Sequence, residues 1–327
     1  MAATYSGDLK IYDTLIRDFS VEKLQANFQL FGNASANSIR FVANEFLGDF
    51  KKESFVLQPT VDVNDLKIHE DGDIVYNKIA QSEVVEAKFL RYVAESANLK
   101  AMREAGLDEA GWAARMGELF GERLTKQAVD LAIGAGIAAI SETATNVIDK
   151  STAAFDYGYL IDAMGVFGDQ SNRIVAMVGH SGAYREMAKK AVGLSSLDSV
   201  GGVQIVRGDT ATMGLPFIQY DSAALVQGTG VDAIYTVLFL TQNALVAMQT
   251  GPDNVRTDVD FTKQGDIIRA KHEIDWTLGL KGYTWTGVTG SSVAPIDDAA
   301  LKSAANWAQI STDVKNTAGS VLKFKAS

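Results

Sequence analysis

At 327 residues, 47% of them hydrophobic and 21% charged, the chain has the composition of a folded protein with room for two domains or one extended core, which excludes a disordered chain. Its formal charge of −10, with no segment concentrating Lys and Arg, argues against a protein whose main affinity is for phosphates. The absence of cysteine removes disulfides, thiolate catalysis and cysteine-held zinc or iron–sulfur sites, and the three histidines, His69, His180 and His272, lack metal-ligand spacing.

The first stretch, "MAATYSGDLKIYDTLIRD", has no basic start followed by an apolar core, so no secretory signal is expected. Apolar residues from Tyr5 to Phe31 recur with patchy periodicity. They predict a short helix near 20–30 with Ser20 as N-cap, within an arm whose aromatics pack either on its own body or on a neighbouring subunit. From 47 to 96, "ESFVLQPTVDV" and "SEVVEAKFLRYV" read as strands around the polar "LKIHEDGDIVYNK", an extended hairpin that needs another surface to lean on. Asp71 and Asp73 flank Gly72 but lack EF-hand spacing, so a solvated turn is expected there.

Residues 106–141 carry the strongest helical pattern. Trp112, Met116, Leu119/Phe120, Leu124, Ala128, Leu131, Ala135 and Ala138 form one stripe, and Val129, Ile133, Ile137 and Ile140 add a second row. Gly117, Gly121, Gly134 and Gly136 each cost about 1 kcal/mol against Ala in such a helix. Between 150 and 250 helices ("AAFDYGYLIDAMGVFG", "GAYREMAKKAV") alternate with strands ("RIVAMV", "GVQIVRG", "PFIQYD", "DAIYTVLFLT"), predicting an α/β unit with a central sheet. The most apolar run, 231–249, is interrupted by Asp232, Gln242 and Asn243 and falls short of the about 20 apolar residues a membrane span needs. Two or three strands are expected after Pro252, then a helix capped by Asp297 or Asp298 and a short strand or loop.

The candidate chemistry centres on "VGHSGAY". Gly179-His180-Ser181-Gly182-Ala183 approaches the G-x-S-x-G nucleophile elbow but misses its last glycine. His272, the only downstream histidine, sits in the strand-like "IIRAKHEIDW". A serine hydrolase using Ser181 and His272 is therefore the enzyme alternative, against a structural turn. No G-x-G-x-x-G, Walker loop or HExxH is present, and no catalytic, cofactor-binding or metal residue is assigned.

Read in order, the segments resemble the major capsid proteins of tailed bacteriophages. The resemblance is carried by "RIVAMVGHSGAYREMAKKAVGLSSLDSVGGVQIVRGDTATMGLPFIQYDSA", with its His-Ser turn and its "G-x-P-h-h-h-x-D" element from Gly214 to Asp221. "YTVLFLTQNALVAMQTGPDNVRTDVD", "IIRAKHEIDWTLGLKGYTW" and the helix-like "DDAALKSAANWAQI" extend it over roughly 40–320. It implies an α+β fold of the Hong Kong 97 type: an N-terminal arm (1–40), an extended hairpin loop (41–98), a peripheral domain (99–149 and 251–327) with a spine helix over 106–141, and an axial domain (150–250).

The implied function is a structural subunit, not an enzyme. It would self-assemble as hexamers and pentamers into an icosahedral shell around double-stranded DNA, bound without sequence specificity. A nanocompartment shell of the same fold is the close variant. The resemblance also implies a separate scaffolding protein, since the N-terminus lacks the long helical prepiece of some members. A portal, a decoration protein and assembly in the host cytoplasm, with no membrane or cofactor, complete the expectation. Some members weld the hairpin to a neighbour through a Lys–Asn isopeptide bond; Lys51, Lys52, Lys67, Lys78 and Lys88 lie in the hairpin region, with a solvated lysine as the default for each.

Overall fold

The computed structural model describes residues 6–43, 51–56, 81–98, 101, 104, 106, 109–190, 197–200, 203–206, 212–251, 254–260, 267–287, 296–311 and 313–326. The chain opens with helix α1 (Ser6–Ala34) and strands β1 (Ile39–Ala43), β2 (Lys51–Val56) and β3 (Gln81–Asn98). The long helix α2 (Glu109–Glu142) follows, then β4 (Val147–Ala154), α3 (Tyr157–Gly165), β5 (Ile174–Gly179) and α4 (Ser181–Lys190). Short strands β6 (Leu197–Val200), β7 (Val203–Val206), β8 (Phe217–Gln219) and β9 (Val226–Gln227) lead to β10 (Ile234–Thr241) and β11 (Leu245–Gln249). The remainder is β12 (Asn254–Asp260), β13 (Ile267–Leu280), β14 (Tyr283–Trp285), α5 (Asp298–Leu301), β15 (Trp307–Gln309) and β16 (Gly319–Lys325).

The strands form two large sheets. One has six strands in the order β1-β11-β13-β3-β2, with β12 also on β13; the other has eight in the order β4-β16-β10-β5-β8-β7-β6, with β9 also on β10. Strand β13 shows why the first sheet has one wet face. Ile268, Ala270, His272, Ile274 and Trp276 are buried, and the alternating Arg269, Lys271, Glu273 and Asp275 point the other way. The second sheet is covered on both faces at β10. Leu238 and Leu240 of β10 join the core built around α2, while Val237 and Phe239 join the core under α3 and α4. This two-sided burial accounts for the continuous apolar run of β10, and no helix among the described residues is long and apolar enough to cross a membrane.

Helix α2 joins the two sheets. Its first half packs on α1 and its second half, buried on more sides as the doubled apolar row predicts, sits in the core shared by both sheets. Its glycines are contact points. A Cβ on Gly117 would lie 2.7 Å from the Ile16 carbonyl oxygen and 2.7 Å from Phe19 Cβ, and one on Gly121 would lie 2.9 Å from the Ser20 carbonyl. A Cβ on Gly134 would strike the Lys302 stem at 2.8 Å, and one on Gly136 the Leu245 side chain at 2.9 Å. The helix-propensity cost of these residues is offset by the close approach they allow.

Two expectations need correction. The N-terminal helix spans Ser6–Ala34 rather than 20–30, and Ser20 is not its cap but a fully buried mid-helix residue, its hydroxyl hydrogen-bonded to His272 Nδ1 at 3.0 Å. Its packing stripe, Ile16-Ser20-Leu24-Asn27-Phe31, contains two polar residues paired to tertiary partners (Asn27 donates to Thr125 Oγ1 at 3.3 Å), which is why the apolar period looked broken. Phe28 and Phe31 find shelter on the chain itself, Phe28 stacking on Phe41 at 4.4 Å and meeting Trp276 edge-on at 5.7 Å, while Phe19 is exposed.

Sheet pairing joins distant parts of the chain: β11 pairs with β13 of the six-stranded sheet, and β16 lies between β10 and β4 in the eight-stranded one. Finally, the helix expected from 297 is a single turn. Asp297 caps it, accepting from Ala300 N at 2.6 Å, but Trp307 Nε1 and Asn306 Nδ2 take the carbonyls of Leu301 and Ala300, and Trp307 packs edge-on to Trp285 at 5.0 Å.

Replacing Gly117 by alanine should lower the denaturant midpoint, corresponding to about 1–3 kcal/mol, because the α1 backbone must move. The gain in helix propensity of about 1 kcal/mol does not compensate. Gly165→Ala, where nothing lies within 4 Å, should leave the midpoint unchanged or raise it, which controls for propensity alone.

Candidate functional site

The Ser181 turn joins the two motifs that stood apart in sequence. Strands β5 and β8 run parallel, Met177 opposite Phe217 and Gly179 opposite Gln219, so the Gly214–Asp221 element ends beside the start of α4. There Asp221 Oδ1 accepts from Ser181 N at 2.9 Å and lies 3.4 Å from His180 Nε2. His180 caps the helix: its Nδ1 accepts from Gly182 N at 3.0 Å and its carbonyl from Tyr184 N at 3.2 Å. Accepting at Nδ1 leaves the ring proton on Nε2, directed at Asp221. The Tyr235 ring stacks on the imidazole at 5.8 Å, and Gly182 is required because any Cβ there would meet Tyr235 Oη at 2.4 Å.

Burial raises the Asp221 pKa, but hydrogen bonds from Ser181 and the electrostatic attraction of His180 and Arg185 nearby outweigh it and hold the carboxyl below its ordinary 3.8. His180 Nδ1 is thus committed to capping, and Nε2 lies against Asp221. His272, fully buried in the other sheet, is bonded to Ser20. The structure brings neither histidine to Ser181 as a base, and the turn works as a helix start built by two strands.

The accessible features are surfaces. Strand β3 changes partner along its length: Ala87–Asn98 pair with β13, and Gln81–Glu86, past the end of that pairing, pair with β2, Lys51 opposite Glu86 and Val56 opposite Gln81. The hairpin tip, with Asp71, Gly72 and Asp73, lies outside the described residues, as do Lys67 and Lys78 and the side chains of Lys51 and Lys52. Lys88 departs from the solvated default; its side chain is 12% exposed and its ammonium lies 3.6 Å from Asp275.

On the wet face of the same sheet Leu90 and Tyr92 are exposed, 45% and 67%, with the Lys271 ammonium 5.0 Å from the Tyr92 ring. A groove of about 500 Å³ continues from them between Ala94, Ser96, Arg256, Asp258, Arg269 and Lys271. Ile161, Met213 and Val231 are exposed on the unit of the eight-stranded sheet. Among the described residues no three His, Asp or Glu are grouped to hold a metal ion.

The family model Gp13-like, described as major capsid protein 13-like, matches residues 8–321. In overall structure the chain is similar to one from Mycobacterium phage Bobi (11% identity, 87% of this chain and 88% of that one, TM-score 0.50) and to one from Mycobacterium phage Cain (11%, 89% and 89%, 0.50). It is also similar to a chain of the Cyanophage Pam1 capsid asymmetric unit (10%, 88% and 88%, 0.50). At these identities the likeness is one of fold. No curated protein matches the sequence.

Two outcomes check the reading of the turn. Ser181→Ala keeps the backbone N–H that Asp221 holds, so it should leave the thermal midpoint within a degree or two, and any esterase turnover by the wild type should be unaffected. Asp221→Asn should cost about 1 kcal/mol near neutral pH. Because the folded pKa is depressed, the stability contributed by the carboxylate is complete above the unfolded value near 3.8 and is lost as pH falls through the folded value. The difference between wild type and variant in urea titrations should therefore shrink on acidification.

Proposed function

The chain belongs to the Gp13-like family of phage major capsid proteins, and on that premise we propose that it is the repeating subunit of an icosahedral shell, assembling as hexamers and pentamers around double-stranded DNA. The observation that carries the reading is the partner change along β3, which extends the six-stranded sheet past β13 as a two-stranded ribbon with β2. A two-stranded ribbon is marginal in water and gains its stability against a foreign surface, which identical neighbours supply.

In this reading the six-stranded sheet with α2 is the peripheral domain and the eight-stranded sheet with α3 and α4 the axial one, with β11 assigned to the first and β16 to the second. The Ser181 turn then stiffens the axial sheet where α4 leaves it, and attacks nothing. The net charge of −10 keeps the shell from adhering tightly to packaged DNA. Assembly proceeds in the host cytoplasm with a separate scaffolding protein, and a portal and a decoration protein complete the particle.

Negative-stain microscopy of the purified chain, with and without candidate scaffold from the same genome, should show closed shells. Deleting residues 68–76 should abolish them while leaving the soluble subunit's circular dichroism and melting unchanged. Intact shells from the deletion variant would remove the ribbon from the assembly mechanism.

A further inference from the structure

Helix starts and helical turns elsewhere in the described residues are capped by side chains whose acceptor state is fixed near neutral pH. Asp156 accepts from Gly158 N at 2.8 Å, Ser222 from Ala224 N at 3.2 Å, Asp297 from Ala300 N at 2.6 Å and Asp313 from Lys315 N at 3.0 Å. Carboxylates and hydroxyls keep their lone pairs throughout the range from about pH 5 to 8. Helix α4 is built differently. Its cap is the imidazole of His180, whose Nδ1 accepts from Gly182 N at 3.0 Å, and imidazole is the side chain that ordinarily changes charge within that range.

Only the neutral ring can cap. A proton on Nδ1 turns the acceptor into a donor facing the Gly182 N–H, and sets a positive charge against the positive end of the helix. The His180 side chain is 22% exposed, so solvent protons reach it. On its other side stands an acceptor for the cation: Asp221 Oδ1, just beyond β8 and 3.4 Å from Nε2. Strand β10 presents Tyr235, whose ring stacks on the imidazole at 5.8 Å and accommodates a cation. Helix α4 presents Arg185, whose charge acts on the same carboxylate, and β5 ends in the uncharged Val178 and Gly179. Protonation therefore exchanges a hydrogen bond to the helix for a charge-assisted one to Asp221.

We propose that His180 is a pH-operated cap: the neutral ring holds the first turn of α4, and the protonated ring releases Gly182 N and turns to Asp221. The change is confined to the helix start. Asp221 still holds Ser181 N at 2.9 Å, and α4 stays seated through Ala183 and Met187, buried in one core with Phe217.

Hydrogen–deuterium exchange of the full-length chain tests this, read at single amides between about pH 8 and pH 5 and expressed as protection factors to remove the intrinsic pH dependence. Protection of the Gly182 amide should fall about fivefold on acidification, the size of one lost cap. The Gly158 amide, capped by Asp156, should keep its protection and serves as the control within the same molecule. His180→Asn, whose carbonyl oxygen accepts without titrating, should hold Gly182 protection constant across the range. Asp221→Asn, which keeps an acceptor but not the charge, should move the fall to lower pH, because the cation loses its counter-charge.

A Gly182 protection factor that stays constant in the wild type overturns the inference. So does a fall that Gly158 shares, which is general loosening in acid, or one that persists unchanged in His180→Asn, which places the titrating group elsewhere. A fall that Asp221→Asn leaves at the same pH removes Asp221 as the acceptor of the released ring, and the exchange of partners with it.

Discussion

The architecture depends on how closely other elements can approach one helix. Helix α2 is the only described element that packs on α1 at one end and on the core of both sheets at the other, and it does so through bare backbone at Gly117, Gly121, Gly134 and Gly136. A Cβ at these positions would come inside van der Waals contact with α1, Lys302 and Leu245 and force them outward, a displacement that a close-packed interior does not tolerate cheaply. Because the same helix touches both sheets, their relative placement is set by atomic contact along its length.

Much of this was legible in the sequence. The spine helix announced itself by its stripe, and β10 by its apolar run, because both are dominated by burial, which leaves a periodic trace. The two strands of the hairpin and their pairing followed from β-rich segments around a polar middle. The full length of α1 did not, because Ser20 and Asn27 occupy core positions whose partners, His272 and Thr125, lie 252 and 98 residues away. Hydrogen bonds at that separation carry no local signal. The one-turn α5 was misread for a related reason: "DDAALKSAANWAQI" has helical composition, but burying Trp307 against Trp285 decides where the helix stops.

The Ser181 turn shows how a motif can be read correctly as geometry and wrongly as chemistry. Strand, small turn, serine and helix are all present, and an Asp and a His stand beside the serine. The direction of the hydrogen bonds makes these groups a helix cap. His180 accepts from the helix and faces Asp221, so neither nitrogen is left to take a proton from Ser181. The signal that could have found Asp221 was its place at the end of the second motif, which parallel pairing of β5 and β8 brings alongside the first.

Strand β16 occupies an inner position of its sheet, hydrogen-bonded to β10 on one side and to β4 on the other. During synthesis the segment 147–241 therefore emerges with a gap in it and holds two exposed strand edges until residues 319–325 leave the ribosome. A nascent or truncated chain therefore leaves unpaired the backbone of β10 and β4 that β16 covers in the finished molecule, and such open edges invite pairing with other strands.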